Sequence, residues 1–225
     1  MRKFFICLTT GLLMLSCSDV INKKPNLETA KEDIATIKEK YKDDYSPADF
    51  EALSDKLAGN VMKSVFAKGE DAVKEGISFD KTYKEYLDEI KEERVKKEKE
   101  LAELKAAVTV EVLDASIERG SGIMADYNVN LPVKVKIKNT SGKAIQGISG
   151  RIEAIDMFDK NIDNLKFEIT DEVKPNAELV EDYIYDISFG DLKKMDESSF
   201  SKLKFVWVPQ MIIFKDGSRL PKVDK

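Results

Sequence analysis

Between residues 27 and 106 the apolar positions recur every three or four places, and beyond residue 107 they recur every second place. The first period belongs to a helix face and the second to a half-buried strand. Leu27, Ala30, Ile34, Ile37 and Tyr41 form one stripe and predict a first helix. Ser46-Pro47-Ala48-Asp49 predicts a second start. Ser46 can cap, Pro47 suits the first helical position, and Asp49 suits the positive end of the dipole. Phe50, Leu53, Leu57, Val61, Met62, Val65 and Phe66 are expected to line its buried face, with Gly69 as the stop. A third and longest helix is expected from Phe79 to Ala106, about 42 Å at 1.5 Å per residue. Tyr83, Leu87 and Ile90 make a heptad-like seam that Leu101 and Leu104 resume, while the charged run Lys91–Glu100 offers only Val95. Such a run has no face to bury, and pairs of opposite charge support it as a solvated helix.

The strand half opens with Val108, Val110 and Val112. After Gly120-Ser121-Gly122, the residues Val129, Leu131, Val133, Val135 and Ile137 alternate with Asn130, Lys134, Lys136 and Lys138. Pro132, on the polar side, predicts that this strand lies at a sheet edge or carries a bulge. Further strands are expected around Ile148, Ile152 and Ala154, around Leu165, Phe167 and Ile169, and around Leu179, Tyr183, Tyr185 and Ile187. The last segments carry Leu203, Phe205 and Trp207, then Met211 and Ile213. Turn signals at Asn139–Gly142, Asp159–Asn161, Lys174–Asn176 and Asp216-Gly217 separate them. Short strands of unequal length, with no closing repeat, predict an antiparallel sandwich rather than a barrel.

The N-terminus has a different character. Arg2 and Lys3 precede an apolar run through Leu15 that is too short to span a bilayer and has the layout of a secretory signal. Leu13-Met14-Leu15-Ser16-Cys17 resembles the bacterial lipobox, with Met14 where leucine is usual. The resemblance implies cleavage before Cys17, lipid on Cys17, and a membrane anchor. An ordinary signal with a chance cysteine is the alternative. The abrupt polar change at Ser18-Asp19 favours lipid, and Ser18 to Pro25 reads as a slack tether. Cys7 and Cys17 are the only cysteines, so a mature chain acylated at Cys17 has no disulfide. Losing Arg2 and Lys3 takes the formal charge from −5 to −7. An acidic chain with no basic stripe is not expected to bind nucleic acid.

Two stretches resemble a known domain type. These are Lys136-Ile137-Lys138-Asn139-Thr140-Ser141-Gly142-Lys143-Ala144-Ile145 and Gly150-Arg151-Ile152-Glu153-Ala154-Ile155-Asp156-Met157-Phe158-Asp159-Lys160-Asn161. A strand ending in Asn-x-Ser-Gly, then a strand ending in an aromatic and Asp, resembles the immunoglobulin-like FxLYD-type sandwiches of bacterial lipoproteins. Ile162 stands where that pattern has glycine. The helical half is similar in layout to small lipoproteins whose helices end in a Lys/Glu-rich coil. The resemblance implies adhesion, scaffolding or envelope assembly rather than a reaction.

Catalytic chemistry has little to work with. The chain has no histidine, which removes His-dependent triads and His-based zinc sites. A carboxylate pair is formally available anywhere among 42 acidic residues, so it carries no signal. Asp159, Asn161 and Asp163 alternate like the start of a calcium loop, but the sharp-turn glycine is missing and Thr170 replaces the bidentate glutamate. A plain turn is the better reading. Trp207, Tyr183 and Tyr185 share faces with apolar neighbours and read as core, ahead of a sugar-stacking platform. No cofactor, metal or catalytic residue is assigned.

The expected architecture is α+β. It comprises a signal at 1–16, a lipidated cysteine and tether at 17–26, a helical hairpin or bundle with one long charged helix at 27–107, and an immunoglobulin-like antiparallel β-sandwich at 108–225. The expected function is a non-enzymatic envelope lipoprotein, held on the membrane by Cys17, with the outer membrane favoured and the periplasmic or surface face open. An envelope protein docks on the charged coil or on the edge strand at Pro132. A sandwich that binds glycan or a small apolar molecule is the alternative.

Overall fold

The computed structural model describes residues 19–68, 77–121 and 128–221. Cys17, with its leader and Ser18, lies outside the described residues, as do Gly69 and Gly122. The chain divides into two compact units, Met1–Val95 and Lys96–Lys225, and helices and antiparallel sheets together make it α+β.

Three helices build the first unit: α1 (Ala30–Lys40), α2 (Pro47–Lys68) and α3 (Tyr83–Ala107), the last of which runs on into the second unit. α2 starts where Ser46 and Asp49 cap each other. The Asp49 carboxylate accepts the Ser46 N–H at 2.7 Å, and the Ser46 hydroxyl accepts the Asp49 N–H. α3 begins four residues later than expected. The Thr82 hydroxyl and the Glu85 carboxylate make the same reciprocal cap, whereas Phe79 is buried ahead of the helix. Ile37, Phe50, Leu53, Leu57, Tyr83, Tyr86, Leu87 and Ile90 form the core.

Two expectations fail in this unit. Met62, Val65 and Phe66 are exposed, so the apolar face of α2 is buried only through Leu57, with Val61 partly covered. Residues 19–25 are not slack either. Val20–Asn22 forms a short 3-10 turn, Ile21 and Pro25 are buried, and the Lys23 carbonyl accepts the Tyr83 N–H at 3.0 Å. Asp19 accepts hydrogen bonds from the Tyr41 hydroxyl and, at 3.1 Å, from Lys40.

The second unit holds two four-stranded sheets whose inner faces share one core. In the first sheet β3 (Val129–Asn139) pairs with β1 (Val108–Ala115) and β2 (Glu118–Arg119) along one side. β6 (Glu178–Asp186) pairs along the other. The second sheet runs β5 (Asn161–Ile169), β4 (Ile145–Ile155), β7 (Lys204–Phe214), β8 (Arg219–Leu220). The alternation in β3 is realised: Val129, Leu131, Val133, Val135 and Ile137 are all buried.

β3 is nonetheless the central strand, not an edge. Pro132 is tolerated because it lies where β1 has ended at Val133 and β2 begins at Asn130. The missing N–H falls in that gap, and the Pro132 carbonyl accepts the Ser116 N–H. The last two expected segments are one strand. An irregularity opposite Ser149/Gly150 reverses its side-chain parity, so Ile212 and Phe214 are buried while Met211 is exposed. Trp207 sits in the core, edge-on to Phe167 at 5.2 Å, and a Cβ on Gly150 would overlap its ring and the Val208 carbonyl.

Candidate functional site

The candidate surface is built from three connections of the second unit: β4 to β5, β6 to β7, and β1 to β2. The β4–β5 turn is fixed by Asp156. Its carboxylate accepts the backbone N–H groups of Phe158 at 2.8 Å and Lys160 at 2.9 Å, and Asp159 takes a left-handed φ of 59°. This is turn chemistry, and the Asn161 amide donates to the Asn164 side-chain oxygen at 3.0 Å. Asp163 accepts the Asn164 N–H, and no group of three potential metal ligands occurs among the described residues.

The β6–β7 connection leaves the sheet at Ile187. Ile187 N–H donates to the Val129 carbonyl, and the Ser188 hydroxyl, buried, accepts the Val129 N–H at 3.2 Å. Asp186 accepts the Ser188 N–H at 2.9 Å, and bonds to the Ser188 hydroxyl and N–H hold its carboxyl below the usual value. Gly190 N–H closes the turn on the Ile187 carbonyl.

The two turns are neighbours. A Cβ on Gly190 would overlap the Asp163 carboxylate. Asp191 is held below the ordinary aspartate value, first by its hydrogen bond from Lys194 and in part by the charge of Lys160. Lys204 reaches Asp159 at 3.9 Å.

What these pinned turns display is apolar. Phe189 is 97% exposed, Phe158 81% and Met157 63%. Each phenylalanine held in water forgoes roughly 1.5–3 kcal/mol of burial. Neither turn needs an aromatic, since Asp156 and Ser188 supply the local hydrogen bonds. Scattered exposed apolar residues are ordinary, but these three stand on two hydrogen-bonded turns whose neighbouring residues Lys160 and Asp191 interact.

A cavity of about 560 Å³ lies between the β1–β2 connection and the helical turn α4 (Glu197–Phe200). Arg119 is clamped at its edge, donating from Nη2 to the carbonyls of Lys193 (2.7 Å) and Met195 (3.0 Å). Asp196 caps α4 through the Ser199 N–H, which holds its carboxyl below the usual range.

The residues singled out from sequence fall elsewhere. Trp207, Tyr183 and Tyr185 pack in the core with Phe167. Burial pushes the Tyr185 hydroxyl up to about 12. Thr170 is separated from the turn by the length of β5. Periodicity missed Met157, Phe158, Phe189, Arg119 and Glu197, because tip residues belong to no stripe. The available signal was local: Phe158 sits between Asp156 and Asp159, and Phe189 precedes a glycine, so both aromatics occupy turn positions.

The comparisons add no identity. No family model and no curated protein matches the chain. One solved structure, described as the X-ray structure of Northeast Structural Genomics Consortium target SoR45, overlaps 54% of this chain and 85% of its own, at 12% identity and a TM-score of 0.30. A likeness that loose assigns neither fold nor function. Among the described residues no helix is long and apolar enough to cross a membrane.

Proposed function

We propose that the protein is a bacterial envelope lipoprotein, lipidated at Cys17, whose second unit is an immunoglobulin-like sandwich acting as a non-enzymatic docking module. The carrying observation is the apolar tip, where Met157, Phe158 and Phe189 stand in water on turns held by Asp156 and Ser188. Preorganised turns with exposed aromatics suit a contact, because ordering has been completed before the partner arrives. The docking surface is therefore moved from the strand at Pro132, which is central, to this end of the unit. The lipobox-like Leu13–Cys17 supports the anchor, and Ser18 after the cysteine favours the outer membrane. The core position of Trp207 removes the sugar platform that a glycan-binding alternative would use.

The test is cross-linking in intact host cells with affinity purification, comparing wild type with Met157→Ser/Phe158→Ser/Phe189→Ser. Loss of one envelope protein from the triple variant supports docking through the tip. An identical set of captured proteins overturns it. Separately, Cys17→Ala should move the protein out of the membrane fraction, and a lipid-modified N-terminal peptide should be visible by mass spectrometry of wild type only.

A further inference from the structure

We infer that the cavity beside Arg119 is a binding site for a small zwitterion with an apolar side group, of the α-amino acid or dipeptide class. Three features of the cavity select that chemistry. Its floor is apolar: Ile117, Met195 and Phe200 line it and pack against the core behind, so the surface is fixed rather than soft. One edge carries Arg119, whose contacts are neutral carbonyls alone. Those contacts take both Nη2 hydrogens without neutralising the guanidinium, and leave Nε–H and Nη1–H as single charged donors to a carboxylate oxygen. The lining also carries Glu197, in the first turn of α4, whose carboxylate has no hydrogen-bond or ion-pair partner among the described residues. Asp196 adds negative charge on the same side, although its own carboxylate is engaged as the cap.

A simple carboxylic acid would meet Arg119 but be repelled by Glu197 and Asp196, and a simple amine would meet the reverse. A molecule carrying both charges satisfies Arg119 and Glu197 together, and an aliphatic or aromatic side group suits the apolar lining of Ile117, Met195 and Phe200. About 560 Å³ lies in the ordinary range for small-molecule sites, roughly 300–1,000 Å³. The site stands apart from the docking tip, since none of Met157, Phe158 and Phe189 lines it.

Isothermal titration calorimetry on the full chain decides the matter, with L-leucine, L-phenylalanine and Leu-Leu as ligands and N-acetyl-L-leucine and L-leucinamide as blocked controls. The free zwitterions are expected to bind saturably, and each blocked form to bind about tenfold more weakly, the low end for a charge-assisted contact. Arg119 also clamps the turn before α4, so Glu197→Gln, which disturbs no protein contact, carries the decision. E197Q should weaken L-leucine about tenfold and should strengthen N-acetyl-L-leucine, whose carboxylate Glu197 no longer repels. Blocked and free forms binding alike, an E197Q profile equal to wild type, or no saturable heat up to about 10 mM ligand would each overturn the proposal.

Discussion

In the helical unit, tyrosines close the core and spend their hydroxyls on acids at its rim. Tyr45 donates to Asp88 at 2.6 Å, Tyr86 to Asp80 at 2.7 Å, Tyr83 to Asp33 at 3.2 Å, and Tyr41 to Asp19. The unit also buries one carboxylate outright, Asp49, facing Arg94 on α3. In the strand unit the core is a seam of aliphatic and aromatic side chains between two sheets. Among the described residues its buried polar side chains are Asn139 and Ser188, both where a strand gives way to a turn. The Asn139 amide donates to the carbonyls of Lys143, Val173 and Lys174, and its oxygen accepts from Ser141. The contrast follows from the secondary structure. Sheets pair their own backbone across strands, so one side chain suffices where a turn leaves carbonyls unpaired. Helices satisfy their backbone internally, so they tie one element to the next through side chains.

That contrast can be broken from either side. The largest effect is expected from Arg94→Ala, which leaves the Asp49 carboxylate buried without its bidentate partner, at a cost of about 3 kcal/mol. Thermal melts should show it in the helical transition alone. Gly150→Ala is the strand counterpart, because the added Cβ meets Trp207 and the Val208 carbonyl. Overpacking of this kind costs roughly 2–3 kcal/mol, read as a lower midpoint in chemical denaturation. Asn139→Ala follows at about 2 kcal/mol, since it orphans several carbonyls together.

Acid sharpens the comparison further. Burial raises the Asp49 carboxyl, but the bonds from Arg94 and Ser46 outweigh it and leave it below its ordinary value of 3.8. Its contribution is therefore complete above pH 3.8 and is lost as pH falls below that value. A pH series of melts should show the helical unit losing this increment at low pH, and Arg94→Ala should remove it. The smallest effect belongs to Phe158→Ser with Phe189→Ser, expected to stay within about 0.5 kcal/mol of wild type, as for surface changes elsewhere. A large loss there would mean that the tip is structural.

Much of this was legible in the residues because periodicity reports burial. The five buried apolar positions of β3 and the Ser46–Asp49 helix start needed only local rules. Departures came where a distant partner intervenes. The irregularity in β7 opposite Ser149/Gly150 flips Ile212 inward, and nothing in Met211-Ile212-Ile213 announces it. Pro132 signals a missing donor, but whether that donor falls at an edge or in a gap between two neighbours depends on β1 and β2. Asp49 was read as a dipole residue, since its pairing with Arg94 spans 45 positions. The tip and the cavity were opaque for a related reason, because exposure of an aromatic is a property of the folded surface.

The docking of Asp19–Pro25 onto the helices bears on how such a protein would move once anchored. A long leash lets a domain sweep a hemisphere of radius set by its length, and its local concentration at a target falls accordingly. With Ser18 alone separating Cys17 from Asp19, the leash is about 7 Å at full extension. A lipid on Cys17 would then act less as a tether than as a mounting foot. The helical unit would ride close to the headgroups and diffuse laterally with the lipid, and any partner would have to be sought in the plane of the membrane.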